Sequence, residues 1–268
     1  MHSGRGSGLS REAIGAYLAD SPVTPGVYVY DAVDSTNAQA KRLLAERVQA
    51  PLLVVANEQT AGRGRLGRTF YSPADTGVYM TLALRVEAAP LDVLQVTTAA
   101  AVAVVCAIEA LTQERPQIKW VNDVYLHGRK LCGILAEAVT DAAAGRIAHV
   151  IVGIGINVST VSFPGDLSGA AISLHTPGLS RIRLIAAVAE RLLSWSAHPA
   201  SRAYMDCYRA HSMVIGQDIR YCRPAGAFIH AKALGVDDDG GLIVQHADGS
   251  RAVLRTGEIT LRLDPASS

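Results

Sequence analysis

The chain has 268 residues, of which 49% are hydrophobic and 18% charged, and its 25 Lys and Arg against 24 Asp and Glu leave a formal net charge of +1. That composition excludes a disordered chain, which cannot bury enough apolar surface to fold, and it lacks the broad basic excess of a protein that lives by phosphate contacts with nucleic acid. The length suits one large domain, or a large one and a small one.

Residues 1–26 read as an N-terminal tail with one short helix. The opening MHSGRGSGLS has no apolar core of the kind that marks a signal peptide. Arg11 to Ala19 can form a helix, which Pro22 and Pro25 end. Val27 to Val33 reads as a strand. Asp34 or Ser35 can cap a helix from Thr36 to about Val48, whose apolar positions are Ala38, Leu43, Leu44 and Ala45. Leu52 to Asn57 and Val78 to Val86 are apolar runs suited to strands, with a segment rich in Arg and Gly between them. Asp92 to Thr112 predicts a long core helix; its most apolar stretch, Ala99 to Ile108, is too short to cross a bilayer.

Ile118 to Trp120 and Val124 to Leu126 read as strand pieces around an Asn122-Asp123 turn. His127, Gly128 and Arg129 form a further turn before the apolar run Leu131 to Val139. Val150 to Val158 is a strand containing Gly153 and Gly155, and Arg181 to Trp195 and Ala200 to His211 have the spacing of amphipathic helices. Short strands then replace helices: Ile219 to Cys222, Phe228 to Leu234, Leu242 to Gln245 and Ala252 to Leu254, with tight turns at Asp239-Gly240 and Asp248-Gly249. The expected division is a main domain over 27–212 and a small β-barrel over 213–268. The main domain lacks a regular βαβ alternation, which predicts an α+β fold with a mixed sheet. Cys106, Cys132, Cys207 and Cys222 are widely spaced, with no C-x-x-C pair and no His at zinc-ligand spacing. They read as reduced thiols of a cytoplasmic protein, and no metal ligand set is expected.

The densest charge lies between Gly62 and Phe70, where GRGRLGRTF alternates Arg63, Arg65 and Arg68 with Gly62, Gly64 and Gly67. Guanidinium groups keep their charge and offer paired donors, so this run suits a clamp for a carboxylate or polyanion. The string also matches G-x-G-x-x-G, but that fingerprint needs a helix to start on its glycines. Thr69 to Pro73 and Gly77 are turn and strand chemistry instead. Three further segments accompany the run: Asp34-Ser35-Thr36-Asn37; Lys119-Trp120-Val121-Asn122-Asp123 with Gly128 to Glu137; and Gly153-Ile154-Gly155-Ile156-Asn157-Val158.

In this order and spacing the segments resemble the biotin–protein ligases, over about Val27 to Leu263. Sequences of that family carry S-T-N, then G-R-G-R-x-G-R-x-W, K-W-P-N-D, G-x-K-L-x-G-I-L-x-E and G-x-G-I-N. The resemblance implies a mixed-sheet, class II synthetase-like catalytic domain followed by an SH3-like barrel. It implies a ligase that joins biotin to ATP, forming biotinyl-5′-AMP and diphosphate, and then passes biotin to one lysine of a biotin carboxyl carrier protein domain, as in acetyl-CoA carboxylase. Mg²⁺ is expected with ATP, a monomer or weak homodimer is expected, and neither DNA nor a membrane is expected as a partner.

By the same resemblance, Lys130, Arg65 and Asp123 are the expected catalytic residues. The two cations would neutralise charge where a carboxylate meets the α-phosphate, and Asp123 would assist the acceptor lysine. Biotin is expected on Ser35, Thr36, Asn37 and Gln59, whose donors and acceptors suit a ureido ring. It is also expected on Gly62, Arg63, Gly64, Arg65 and Lys130, lying directly against Gly133, Gly153 and Gly155. Arg63, Arg65, Arg68, Phe70, Asn122 and Asn157 are expected around the nucleotide.

Two positions depart from the family pattern. Phe70 stands for the usual Trp, which implies a smaller surface for adenine and weaker retention of the adenylate. Val121 stands for the usual Pro, which frees φ and implies a less rigid Asn122-Asp123 turn. The 26 residues before Val27 can hold one helix but not a DNA-binding domain of roughly 60 residues, so no operator binding is expected. Two other readings stay open: a lipoate or octanoate ligase with a longer apolar slot, and a non-catalytic biotin or biotinyl-AMP binder, suggested by Phe70 and Val121.

Overall fold

The computed structural model describes residues 8–85, 92–141, 146–222, 228–257 and 259–261. The first seven residues of the predicted tail, the Val86 end of a predicted strand and the chain from residue 262 onward lie outside them. Helix α1 (Arg11–Tyr17) leads to strand β1 (Gly26–Val33) and helix α2 (Thr36–Ala45), and β2 (Leu52–Gln59) and β3 (Gly77–Arg85) flank the Arg/Gly segment. Helix α3 (Val93–Leu111) precedes β4 (Gln117–Lys119), β5 (Asp123–Leu126), β6 (Arg129–Asp141) and β7 (Arg146–Asn157). Helices α4 (Arg181–Ala197) and α5 (Tyr204–Ala210) follow, and then β8 (Asp218–Cys222), β9 (Phe228–Val236), β10 (Leu242–Gln245), β11 (Arg251–Leu254) and β12 (Ile259–Leu261).

The first seven strands form one sheet in the order β1-β2-β3-β7-β6-β5-β4. Its β1–β2 pair is parallel and its other neighbours are antiparallel. The last five form a separate antiparallel sheet in the order β11-β10-β9-β8-β12. A mixed sheet with a smaller β unit after it is the α+β architecture expected.

Alternation along the strands gives the large sheet two faces. Leu53, Val55, Val78, Met80, Leu82, Val152, Ile154 and Ile156 enter the main core, which α1, α3 and α4 complete. Helix α3 is long and apolar enough to cross a membrane by composition, but 78% of its apolar window is buried inside the protein. Its first turn is held by the Asp92 carboxylate, which accepts from Leu94 N at 2.9 Å. The opposite face carries Leu52, Val54, Ala83 and Ile151 under Ala40 and Leu43 of α2. The short α2 covers only part of that face. Past its N-terminus the same face continues through Thr81, Gly153, Gly155, Gly133 and Leu135, which are register partners across β3, β7 and β6. The site is built there.

Several boundaries moved; β7, for one, begins at Arg146 and not at Val150. Helix α2 stops at Ala45, before the expected Val48, because Arg47 turns to φ 61° and Val48 N returns to Leu43 O, a Schellman closure. Helix α5 begins at Tyr204 instead of Ala200. Arg129 opens β6 instead of ending the turn, which His127 and Gly128 make alone at φ 49° and 73°.

Candidate active site

The N-terminus of α2 sits over the glycine-bearing part of the sheet. Ser35 has the extended backbone of an N-cap but makes no side-chain cap bond. Gln59 of β2 does that work instead, its Oε1 accepting from Thr36 N at 2.9 Å and from the Thr36 hydroxyl at 3.1 Å. Asp34 accepts from Ser35 N at 2.8 Å and pairs with Arg42. Gln59 Nε2 donates to Ser72 Oγ at 2.9 Å, which fixes the amide's orientation.

One strand further, Thr81 donates to Asn37 Oδ1 at 2.7 Å and lies 2.8 Å from the Thr36 hydroxyl. Asn37 Nδ2 donates to Glu137 Oε2 at 2.8 Å and to Leu135 O at 3.2 Å, and Lys41 pairs with Glu137 at 2.6 Å. Burial works against the Glu137 charge, yet hydrogen bonds from Lys41 and Asn37 outweigh it and hold this carboxyl below the ordinary glutamate range. Ser35, Thr36 and Asn37 are all buried, and a buried network satisfied in this way is rigid.

The glycines opposite have a use that differs from a bare floor. A Cβ on Gly153 would lie 2.2 Å from Asn37 Oδ1, so this glycine makes room for the asparagine amide. Cβ atoms on Gly155 and Gly133 would come within 2.4 and 3.2 Å of the Phe70 ring. In this structure the protein's own Asn37 and Phe70 rest on the three glycines where a ligand was expected to lie.

The Arg/Gly segment is a small hairpin. Arg63 pairs with Thr69, Gly64 N donates to Arg68 O at 2.7 Å, and Phe70 N donates to Gly62 O at 2.9 Å. Its tip passes through the left-handed region at Leu66 and Gly67, with φ 56° and 74°, a conformation that suits the glycine and strains the leucine. No α-helix begins on these glycines, which removes the dinucleotide fingerprint.

From this hairpin Arg65 reaches Asn122 Oδ1 at 3.0 Å and, in the second sheet's region, Gly257 O at 3.3 Å. Asn122 Nδ2 donates to Ile134 O at 3.0 Å, and its carbonyl accepts from Ile134 N at 2.9 Å. The Asn122-Asp123 turn is therefore held by β6 and by Arg65. Lys130 Nζ meets Asp123 Oδ1 at 2.8 Å, and the Lys130 backbone is fixed through Ala170 O and Ile172 N at 2.9 and 3.0 Å. Arg65, Asn122, Asp123 and Lys130 thus form one connected chain.

Two clefts meet at Phe70. The narrow one, with about 50 Å³ of free volume, is lined by Ser35, Thr36, Asn37, Gln59, Arg63, Gly133, Gly153 and Gly155; that is room for one or two water molecules. The wide one, of about 400 Å³, is lined by Arg68, Asp123 and Asn157, with Tyr71, Phe163 and Asp166. Gly64, Arg65, Phe70, Asn122 and Lys130 border both. Gly62, buried at the hairpin base, borders neither. Arg63, expected at both substrates, lines the narrow cleft alone, whereas Arg68 and Asn157, expected at the nucleotide, line the wide one alone.

Sequence reasoning missed Ser72, Thr81, Lys41 and Glu137 in the narrow cleft's bonding network, and Tyr71, Phe163 and Asp166 in the wide cleft. Thr81 and Glu137 carried a signal, each being the polar residue of an apolar stretch, Met80 to Leu84 and Leu131 to Val139. Tyr71 and Phe163 meet edge-on at 6.3 Å, a pairing no local pattern announces. Among the described residues no three His, Cys, Asp or Glu side chains gather as a metal-binding group.

Known proteins align with this geometry. The profile of the "Biotin/lipoate A/B protein ligase family" matches residues 29–157, and that of the "Biotin protein ligase C terminal domain" matches residues 214–262. The chain is 34% identical to the bifunctional ligase/repressor BirA of Bacillus spizizenii, over 92% of its own length and 74% of the relative's. It is 31% identical to a biotin–[acetyl-CoA-carboxylase] ligase of Mycobacterium tuberculosis, over 85% and 87% of the two chains. Its fold superposes on the biotin protein ligase of Aquifex aeolicus in complex with biotin and ATP with a TM-score of 0.73 and 26% identity, covering 88% of this chain and 98% of that one.

Proposed function

Because the chain belongs to the biotin–protein ligase family and acts as an ATP-dependent ligase that activates and transfers biotin, we propose that its two clefts divide the substrates between them. Residues 27–212 form the catalytic domain in this reading, and 213–268 the SH3-like barrel. Biotin takes the narrow cleft, with its ureido ring among Ser35, Thr36, Asn37 and Gln59. A bicyclic ring and acyl chain exceed the space of two waters, so Phe70 moves off Gly133 and Gly155 when biotin enters. ATP takes the wide cleft, bordered by Arg68, Asn122 and Asn157.

The observation that carries this reading is the Arg65–Asn122–Asp123–Lys130 chain at the border of both clefts. A biotin carboxylate oxygen attacking the α-phosphorus, with diphosphate leaving, brings like charges together. Arg63, Arg65 and Lys130 supply the opposite charge at that point. In the second step the acceptor lysine's amine attacks the acyl carbon and AMP leaves. Asp123 is placed to take the amine's proton once Lys130 turns from it to the phosphate.

Mg²⁺ fits as an ion carried in on the nucleotide's phosphates, because Asp123 and Asp166 are the carboxylates that line the wide cleft among the described residues, and these form no closed cage of protein ligands. It would supply further neutralisation of phosphate charge. The protein partner is a biotin carboxyl carrier domain, met in the cytoplasm by a monomer or weak homodimer; neither DNA nor a membrane enters the proposal.

The test is biotin-dependent ATP–diphosphate exchange followed by transfer to a carrier domain. Exchange and transfer with biotin but not lipoate are expected. Binding of biotin without exchange would overturn the division of roles, and exchange with lipoate in place of biotin would move the substrate to the lipoate class.

A further inference from the structure

Helices α3 and α5 bring Cys106 and Cys207, 101 positions apart in sequence, to an Sγ–Sγ separation of 3.5 Å. His211 completes the cluster. Its Nδ1 lies 2.8 Å from Cys207 O and 3.5 Å from Cys207 Sγ, and its Nε2 lies 3.0 Å from the Glu109 carboxylate. Burial disfavours the imidazolium, but the bonds to the Cys207 carbonyl and to Glu109 prevail and raise its pKa above the ordinary value. Arg191 of α4 adds a second positive charge near Cys106. Both sulfur-bearing residues are partly exposed, whereas Cys132 is wholly buried in the main core, where burial pushes its thiol up. None of these groups borders the two clefts.

We propose that Cys106 and Cys207 are a redox-active dithiol that closes to a reversible disulfide between α3 and α5. Cys106 is the attacking sulfur. A hydrogen bond from the Cys207 thiol, with the charges of Arg191 and His211, holds the Cys106 thiol low, and the same pairing pushes Cys207 up. With a hydroperoxide as oxidant, the Cys106 thiolate attacks the terminal peroxide oxygen. The O–O bond breaks, water or an alcohol leaves, and Cys106 becomes a sulfenic acid. The Cys207 sulfur then attacks the Cys106 sulfur, and the sulfenic hydroxyl departs as water with the Cys207 proton. Two thiols lose two protons and two electrons, and the peroxide takes up both. The neighbouring residue Tyr208 donates its hydroxyl to Val121 O at 3.3 Å, so the bridge forms on the helix that braces the Asn122-Asp123 turn.

The full chain is treated with stoichiometric hydrogen peroxide, its remaining thiols are alkylated, and its peptides are mapped by mass spectrometry. A Cys106–Cys207 linked peptide is expected as the first product, removed by dithiothreitol, with Cys132 and Cys222 alkylated as in the untreated protein. In single variants, Cys106 of Cys207→Ser is expected to trap dimedone at least about tenfold faster than Cys207 of Cys106→Ser. Oxidation of Cys222 ahead of the pair, or Cys106 sulfinic acid without any linked peptide, would overturn the proposal. Faster trapping at Cys207 would overturn the assignment of the attacking sulfur.

Discussion

The narrow and wide clefts share a wall yet are built on opposite terms. In the narrow cleft Thr36, Asn37, Gln59 and Thr81 are already bonded to one another and to Ser72 and Glu137. In the wide cleft the charges of Arg65, Arg68, Lys130, Asp123 and Asp166 stand beside the rings of Phe70, Tyr71 and Phe163. The first is a template whose polar bonds are made before a ligand arrives. The second is a field whose strength depends on what enters it. In the proposed division of substrates, recognition of a neutral ring and stabilisation of a charged transition state are thus separated by about one side chain, Phe70.

The sharpest way to break this contrast is at the charged side. Lys130→Ala is expected to lower the rate of diphosphate release by about 10² to 10³, the scale of losing one transition-state donor, with a smaller effect on biotin KM. Arg129→Ala, at the exposed neighbouring position, should change the rate by about twofold or less. Equal losses in both variants would show that loop structure, not the ammonium charge, carries the effect.

On the template side, Gly153→Ala places a methyl group where Asn37 Oδ1 now lies. We expect biotin KM to rise about tenfold and stability to fall by about 1–3 kcal/mol, with ATP KM little changed. A matched rise in both KM values would mean that the clefts are not separate. At the shared wall, Phe70→Ala removes the ring from Gly133 and Gly155. Its expected signature is release of biotinyl-AMP about five- to tenfold faster with a near-normal adenylation rate, as for a lost cover; an unchanged release rate would deny Phe70 that role.

The smallest effect is a pH dependence. Glu137 titrates lower in the folded protein than in the unfolded chain. Its contribution is therefore fully present above the ordinary glutamate value and is lost as pH falls through the lower folded value. Glu137→Gln should flatten that acid limb in denaturant titrations, by about 1 kcal/mol or less. An identical acid limb in wild type and variant would remove Glu137 from the network's energetics.

Much of this was legible in the sequence, because the signals were local. Asp92, the unbroken apolar run and Thr112 marked α3 to within a residue at each end. The order of the Arg/Gly run, Lys130 and the glycine strand marked the site. The strand of three residues at Ile259–Leu261 was too short to form a pattern. Other features depend on which surfaces meet. Gln59 takes over the cap of α2 because β2 runs beside β1. Gly153 needs to be glycine because Asn37 descends onto it, and Asn122 is steadied by β6, twelve residues further along the chain. No spacing within one segment encodes such approaches.

The bond from Arg65 to Gly257 O has a wider meaning beside the buried bond from the Trp120 indole to Gly240 O at 2.8 Å. Each takes a side chain from a segment bordering the reaction and anchors it on a backbone carbonyl of the chain's last fifty-odd residues. Both acceptors belong to glycines at positive φ, 88° and 122°, so the five-stranded unit keeps its grip only while these two positions stay free of side chains. It behaves as a resident subunit that happens to share a chain with the machinery it steadies.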